Sequence, residues 1–173
     1  MKDILFRVGI KKSINKMSIA QINDNFLTDK ECDELISFFE NNKNLQVTHR
    51  DTIYLRIMQF NQFKKLFDKI NSFSLKINNA VIDWIEITKW SVNSFQPLHY
   101  DTGSDKTILS SVCYLNDNFL GGQTFFEDGT VFKPKKNRIL FFNGMYYKHG
   151  VVSVQNGTRY TLATWYKNND PIK

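Results

Sequence analysis

The hydrophobic pattern along the chain changes period once. In "FLTDKECDELISFFENN" (26–42), Cys32, Leu35, Ile36 and Phe39 recur at helical spacing, which gathers them on one face of an amphipathic helix. Thr28 with Glu31 three residues later forms a capping-box signature, so the helix is predicted to begin there. A second helix is predicted over roughly 58–76, where Phe60, Phe63, Phe67, Ile70 and Phe73 form an aromatic stripe. A stripe at that spacing is a core face, not a cofactor box. Between the two helices, "DTIYLRIM" (51–58) reads as a strand.

From residue 80 the period shortens to two. Strict alternation in "AVIDWIEITKW" (80–90) predicts Ile82 and Trp84 on one face of a strand, with Asp83 and Ile85 on the other. Then follow "FQPLHYD", "TILSSVCYLN", "GGQTFFE", "GTVFKP", "RILFFN", "HGVVSV" and "RYTLATWY", with Gly, Asn, Asp or Pro in most gaps. Many short strands at this spacing indicate a sandwich or barrel. The expected fold is therefore α+β, mainly β. It forms one domain over 1–173, with helical support in 24–79 and a β core in 80–167.

Composition agrees with a packed globule: 42% of the 173 residues are hydrophobic and 14% aromatic, including fifteen Phe. Cys32 and Cys113 sit in no Cys-x-x-Cys spacing, which argues against a disulfide framework or zinc ribbon and for a reducing compartment. The start, "MKDILFRVGIKKSINKMS", lacks an apolar run and cleavage site, and no stretch approaches transmembrane length. A cytoplasmic protein with no membrane partner is expected, and the sequon Asn156-Gly157-Thr158 is then inert. The net charge of +6 would suit acidic partners, nucleic acid among them. The lysines are scattered, however, with short clusters at Lys11-Lys12, Lys64-Lys65 and Lys133–Lys136, so a solvated basic surface is the simpler reading.

The candidate chemistry begins at "PLHYDTGSD" (97–105). In a strand, residues i and i+2 share a face, so His99 and Asp101 project together and suit two adjacent ligands of one metal. His149 opens another β-run and is the natural third ligand; two His and a carboxylate form the facial triad of non-haem Fe(II) oxygenases. Arg159 lies ten positions after His149. Its guanidinium offers a planar fork to the far carboxylate of a dicarboxylate cosubstrate. Thr161 shares its parity and could bond the same carboxylate. "DTGSDK" lacks the spacing and terminal Glu of a calcium loop. His49 reads as a surface or loop residue, and Cys113 as core.

Together, "LHYD" (98–101), "VCYLNDNFLGGQTFF" (112–126), "KPKKNRILFFNG" (133–144) and "HGVVSVQNGTRYTLATWY" (149–166) resemble the Fe(II)/2-oxoglutarate-dependent dioxygenases, in their prolyl 4-hydroxylase-like branch. That branch has His-x-Asp, Tyr-Leu-Asn, Gly-Gly-x-Thr-x-Phe, a distal His, a Lys or Arg ten residues on, and a Trp six further. Gly157 and Trp165 stand at the matching offsets from Arg159. The resemblance spans about residues 24–167. It implies a double-stranded β-helix (jelly-roll) core with His99, Asp101 and His149 on iron and Arg159 on the C5 carboxylate of 2-oxoglutarate. It further implies Tyr114 as a second contact, Thr124 lining the pocket, and Gly121 and Gly122 at a turn. The implied cofactors are Fe(II), 2-oxoglutarate and O2, with ascorbate admitted as an accessory. The chain departs from the branch in "KWSVNSFQPLHYD". Trp90 stands nearest the usual Tyr, and Ser91, Asn93 and Ser94 replace glycines, so the cosubstrate pocket or substrate entrance is open to difference there.

Three functions compete. The first is hydroxylation of a peptide or protein side chain, a prolyl residue leading on the strength of the resemblance. The second is the same chemistry on nucleic acid or a small molecule. The third is a catalytically inactive jelly-roll binding module, for which retention of the triad together with Arg159 would serve no purpose. Trp84, Trp90, Phe95 and Tyr146 lie near the mouth in sequence and could wall in a pyrrolidine ring or, equally, an unpaired base.

Overall fold

The computed structural model describes residues 19–102 and 104–170; the readings of the leader and of Lys11-Lys12 lie outside the described residues. Helix α1 spans Asp29–Asn41 and begins as its capping box demands. The Glu31 amide donates to Thr28 Oγ1 at 3.2 Å, and the Thr28 amide donates back to Glu31 Oε2 at 2.7 Å. Cys32, Leu35 and Phe39 are buried on its inner face. Replacing Thr28 by Ala should cost about 1 kcal/mol of stability. Urea unfolding of the two proteins measures that loss as a lower midpoint at unchanged slope.

Helix α2 spans Lys64–Asn78, later than the stripe predicted. Ile57 is still tied to the sheet, its amide donating to the Ile85 carbonyl at 3.1 Å, so the chain must turn before it can wind. Phe60 is extended (φ −100°, ψ 105°), and a short 3-10 turn, Asn61–Phe63, leads into the helix without a side-chain cap. The stripe is nevertheless core. Phe63 and Ile70 are buried, and Phe38 meets Phe60 and Phe63 edge-on with ring centroids 4.9 and 5.0 Å apart. Asn79, left-handed at φ 45°, closes the helix.

Thirteen strands are described: β1 (Ala20–Asn23), β2 (Val47–His49), β3 (Thr52–Arg56), β4 (Ala80–Trp90), β5 (Gln96–His99), β6 (Thr107–Tyr114), β7 (Leu120–Gly121), β8 (Thr124–Phe126), β9 (Val131–Phe132), β10 (Ile139–Phe142), β11 (His149–Val151), β12 (Val154–Asn156) and β13 (Arg159–Asn168). The seven-stranded sheet runs β1-β10-β6-β13-β4-β3-β2, and a four-stranded sheet runs β5-β11-β8-β9. All pairings are antiparallel. The helices cover one face of the large sheet, where Phe39, Ile70, Ile85 and Leu162 share a core. A second cluster, with Tyr114, Leu140 and Phe142 from the large sheet and Phe126 from the small one, holds the two sheets together. The fold is thus α+β, mostly β, with a jelly-roll core backed by N-terminal helices. β1 and β2 were not foreseen.

One predicted pattern is corrected. Opposite β13, Trp84 pairs with Trp165 but Ile82 pairs with Tyr166, which leaves Asp83 as an extra residue. This β-bulge shifts the alternation by one. Ile82, Ile85 and Ile87 therefore all enter the helix-side core, whereas Glu86, Thr88 and Trp90 face the space between the sheets. Ile82 and Trp84 do not share a face as strict alternation required.

Among the described residues, three lysines of the basic clusters are paired with the chain's own acids. Lys64 bonds Asp68 at 2.9 Å, Lys136 bonds Asp33 at 2.8 Å, and Lys135 bonds Asp24 at 2.8 Å. Hydrogen bonds from Arg138 and Lys135 hold the Asp24 carboxyl well below the usual carboxylate range. No described helix is long and apolar enough to cross a membrane.

Candidate active site

The pairing of β5 with β11 sets His149 directly opposite His99. Their rings lie 4.4 Å apart between centroids. Asp101 follows β5 immediately, and its amide donates to the Gly144 carbonyl at 2.9 Å. Its Oδ1 stands 3.7 Å from Nε2 of each histidine, and one donor atom from each of the three residues lies within 4.8 Å of the others. This is the spacing of three ligands around one ion.

The surroundings aim these groups. His99 Nδ1 lies 3.0 Å from the Pro97 carbonyl and His149 Nδ1 lies 3.2 Å from the Tyr147 carbonyl. With a proton on each Nδ1, both Nε2 lone pairs face the centre. Ser110 Oγ donates to Asp101 Oδ2 at 2.5 Å, leaving Oδ1 for the ion. Gly144 belongs to the same arrangement, since a β-carbon there would run into the Asp101 carboxyl and the Ser110 hydroxyl. Burial holds the pKa of His149 below its ordinary value against the pull of Asp101. The neutral imidazole is the form a metal needs.

At the other end of the same cavity, of about 180 Å³, lies Arg159. It opens β13, opposite Trp90, and is 1% exposed. Its guanidinium sits over the rings of Trp90 at 4.9 Å and Tyr114 at 5.4 Å, yet Nε and Nη1 have no hydrogen-bond partner. Burial, opposed in part by Tyr114, pulls its pKa down to about 10. A desolvated cation with unused donors is costly unless an anion completes it. Thr161 and Thr124 line the same cavity, and the Tyr114 hydroxyl is 2.7 Å from Thr124 Oγ1. Trp90 donates its indole N–H to Thr161 Oγ1 at 3.4 Å, so the residue in the usual Tyr position covers Arg159 and positions Thr161. Gly122, at φ +66°, has a second reason to be glycine: a β-carbon would stand 2.8 Å from Arg159 Cδ.

The residues read from the sequence as a group, His99, Asp101, His149, Arg159, Thr161, Thr124 and Trp90, therefore line one cavity, and Tyr114 stands directly behind it. Lys89, the nearest alternative cation on β4, points to the helices and bonds Glu40 at 2.8 Å. His49 is exposed as expected, but it lies on β2 and borders the cavity. Trp84 stacks on Trp165 with centroids 5.0 Å apart, and Phe95 and Tyr146 are exposed. Cys113 is buried in the helix-side core, where desolvation raises its thiol pKa far above normal, so it is no nucleophile. Ser110, Gly144 and Glu86 were not foreseen. The alternation of β6 carries a signal for Ser110, which shares the parity of Val112 and Tyr114.

Comparison with known proteins agrees with this geometry. Residues 85–167 match the model of the 2OG-Fe(II) oxygenase superfamily. No curated protein sequence matches the chain. Among solved structures, a viral collagen prolyl hydroxylase of Paramecium Bursaria Chlorella virus-1, in a 2OG complex, superimposes with a TM-score of 0.72 at 19% identity, covering 91% of this chain and 100% of that one. A Pseudomonas putida prolyl-4-hydroxylase gives 0.73 at 17% identity, covering 88% and 94%. A Trichoplax adhaerens prolyl hydroxylase, in complex with a hypoxia inducible factor oxygen degradation domain peptide fragment, gives 0.74 at 18% identity, covering 88% and 84%. At these identities the likeness speaks for the fold.

Proposed function

We propose that this chain, a member of the 2OG-Fe(II) oxygenase superfamily and an Fe(II)/2-oxoglutarate-dependent dioxygenase, hydroxylates a carbon of a peptide or protein side chain, with a prolyl residue the leading target. The observation that carries the reading is the single cavity with a three-ligand cluster at one end and a buried, unsatisfied guanidinium at the other. An anionic cosubstrate held at one end and a metal at the other fill both requirements.

Fe(II), when bound, supplies the means of using O2 and 2-oxoglutarate to oxidise an unactivated C–H bond, with succinate and CO2 released. In our assignment His99, Asp101 and His149 hold the iron, and Ser110 with the Pro97 and Tyr147 carbonyls keeps those ligands oriented. Arg159 binds the C5 carboxylate, with Thr161 and Tyr114 beside it and Thr124 bracing the Tyr114 hydroxyl. Trp90 shields the guanidinium from water, which strengthens its hold on an anion. Residues 80–167 form the oxygenase core in this assignment, and 24–79 support it.

A peptide substrate is favoured by two things. The neighbouring folds are prolyl hydroxylases, one of them in complex with a peptide. Among the described residues, three lysines of the basic clusters that would have favoured nucleic acid, Lys64, Lys135 and Lys136, are paired with Asp68, Asp24 and Asp33. The test is turnover with Fe(II), 2-oxoglutarate and proline-containing peptides, followed by mass spectrometry. The expected result is one added oxygen per peptide, with succinate formed in step. If prolyl peptides never stimulate succinate formation and alkylated oligonucleotides do, in a salt-sensitive manner, the substrate is nucleic acid.

A further inference from the structure

We propose that Glu86 is a specificity-determining residue of the cavity and selects a peptide carrying a basic side chain at or beside the oxidised residue. The inference rests on the dioxygenase reading above and deepens it.

Its first support is the position of Glu86. Beyond the bulge at Asp83 the alternation of β4 is unbroken, and Glu86 shares the cavity-facing row of Thr88 and Trp90. It stands two residues from Thr88, the cross-strand partner of Thr161, and two from Trp84, the partner of Trp165. Trp165 in turn pairs with Ser110, which bonds Asp101. Glu86 therefore lines the cavity at a level between the row that anchors the cosubstrate and the row that reaches the metal ligands, on a strand one removed from β6, which carries Ser110.

Its second support is charge. The ionisable side chains lining the cavity, among the described residues, are His49, Glu86, His99, Asp101, His149 and Arg159. The positive charges of Fe(II) and Arg159 are matched by Asp101 and the two carboxylates of 2-oxoglutarate. Glu86 is the one acidic side chain of the lining, among the described residues, that the cofactors leave without a partner. Its nearest cation, Arg56, stands outside the cavity lining with its Nε 3.9 Å from Oε2, beyond hydrogen-bond reach. The Arg56 side chain is 62% exposed whereas that of Glu86 is 13% exposed, so the pair is a weak, solvent-screened one. Burial holds the carboxyl pKa up at about 7, with Arg56 and Thr88 opposing. A cation entering from the substrate would favour the ionised form and gain a charge-assisted hydrogen bond in a partly dry site.

The test reads binding without turnover. The anaerobic Fe(II)·2-oxoglutarate holoenzyme is titrated with N-acetyl-lysine methylamide and with N-acetyl-norleucine methylamide, followed by the combined fluorescence of Trp84, Trp90 and Trp165. The lysyl probe should bind about tenfold tighter than the norleucyl one, and Glu86→Gln should erase that difference. Arg56→Ala, which removes the competing cation at an exposed position, should widen it and serves as the check if Glu86→Gln folds poorly. Equal affinities in the native protein, a preference that survives Glu86→Gln, or an Arg56→Ala protein without any widening would overturn the assignment. A holoenzyme that prefers the lysyl probe but oxidises no peptide would support Glu86 and overturn the peptide substrate.

Discussion

Arg159→Met should raise the KM for 2-oxoglutarate by about thirtyfold to several thousandfold while leaving Fe(II) affinity largely intact. The range follows from losing one partner of a desolvated, hydrogen-bonded charge pair, which costs about 2–5 kcal/mol. Methionine keeps much of the packing between Trp90 and Tyr114 and removes only the charge and the donors. The stability of the variant separates this role from a structural one. In the ligand-free protein the guanidinium is buried with Nε and Nη1 unpartnered, so it is a cost carried until an anion arrives. Its replacement by an apolar side chain should leave the ligand-free melting temperature unchanged or higher. What should vanish is the increase that 2-oxoglutarate produces in the native protein. An unchanged KM, together with an undiminished 2-oxoglutarate shift, would move the anion site elsewhere. Lys89 would not inherit it, because it faces the helices and is engaged by Glu40. Gly122→Ala offers an independent approach to the same group, since its β-carbon would press on Arg159 Cδ.

How far the sequence discloses this site depends on how local each determinant is. The start of α1 was legible because a capping box is written within four consecutive positions. His99 and Asp101 were legible because two residues at a strand end share a face whatever the rest of the chain does. Arg159 was legible from its offset of ten residues after His149 and Thr161 from sharing its parity, and their common placement in the cavity required only that β13 be regular up to Trp165. The facing of β4 was not legible. One extra residue, Asp83, reverses the alternation, and the bulge is defined by the partner strand β13, not by β4 itself. Glu86 carries no motif that would single it out; its place in the cavity shows only once β4 is seated between β13 and β3. Ser110 and Gly144 escaped for a related reason: each matters through contact with Asp101, a relation created by the pairing of distant strands. The late start of α2 has the same origin, since the bond from Ile57 to Ile85 holds the chain in the sheet past the point where the Phe spacing turns helical. The strand β2, whose three residues are all exposed, carries no pattern to read.

The metal assignment makes the second large prediction. Anaerobic titration should show His99→Ala and Asp101→Ala each losing more than about a hundredfold in Fe(II) affinity, because losing a ligand must exceed the roughly 10- to 100-fold that loss of a ligand's hydrogen-bond partner costs. Ser110→Ala, which removes only the bond to Asp101 Oδ2, should fall within that smaller range, so the three variants form a graded series. Thermal unfolding gives the parallel readout. The ligands come from β5, the turn after it and β11, so an ion binds the folded arrangement and not the unfolded chain. At an Fe(II) concentration about 100 times the dissociation constant, binding should add about 2.7 kcal/mol of stability, or about 5–10 °C for a chain of this size. The gain should disappear in His99→Ala and Asp101→Ala and survive in Arg159→Met, whose side chain lies at the opposite end of the cavity. Mn(II) or Co(II) in place of Fe(II) should reproduce the pattern without redox complications, since a site of imidazole and carboxylate accepts either ion. Undiminished affinity and an unaltered thermal shift in both ligand variants would end the assignment of iron to this cluster.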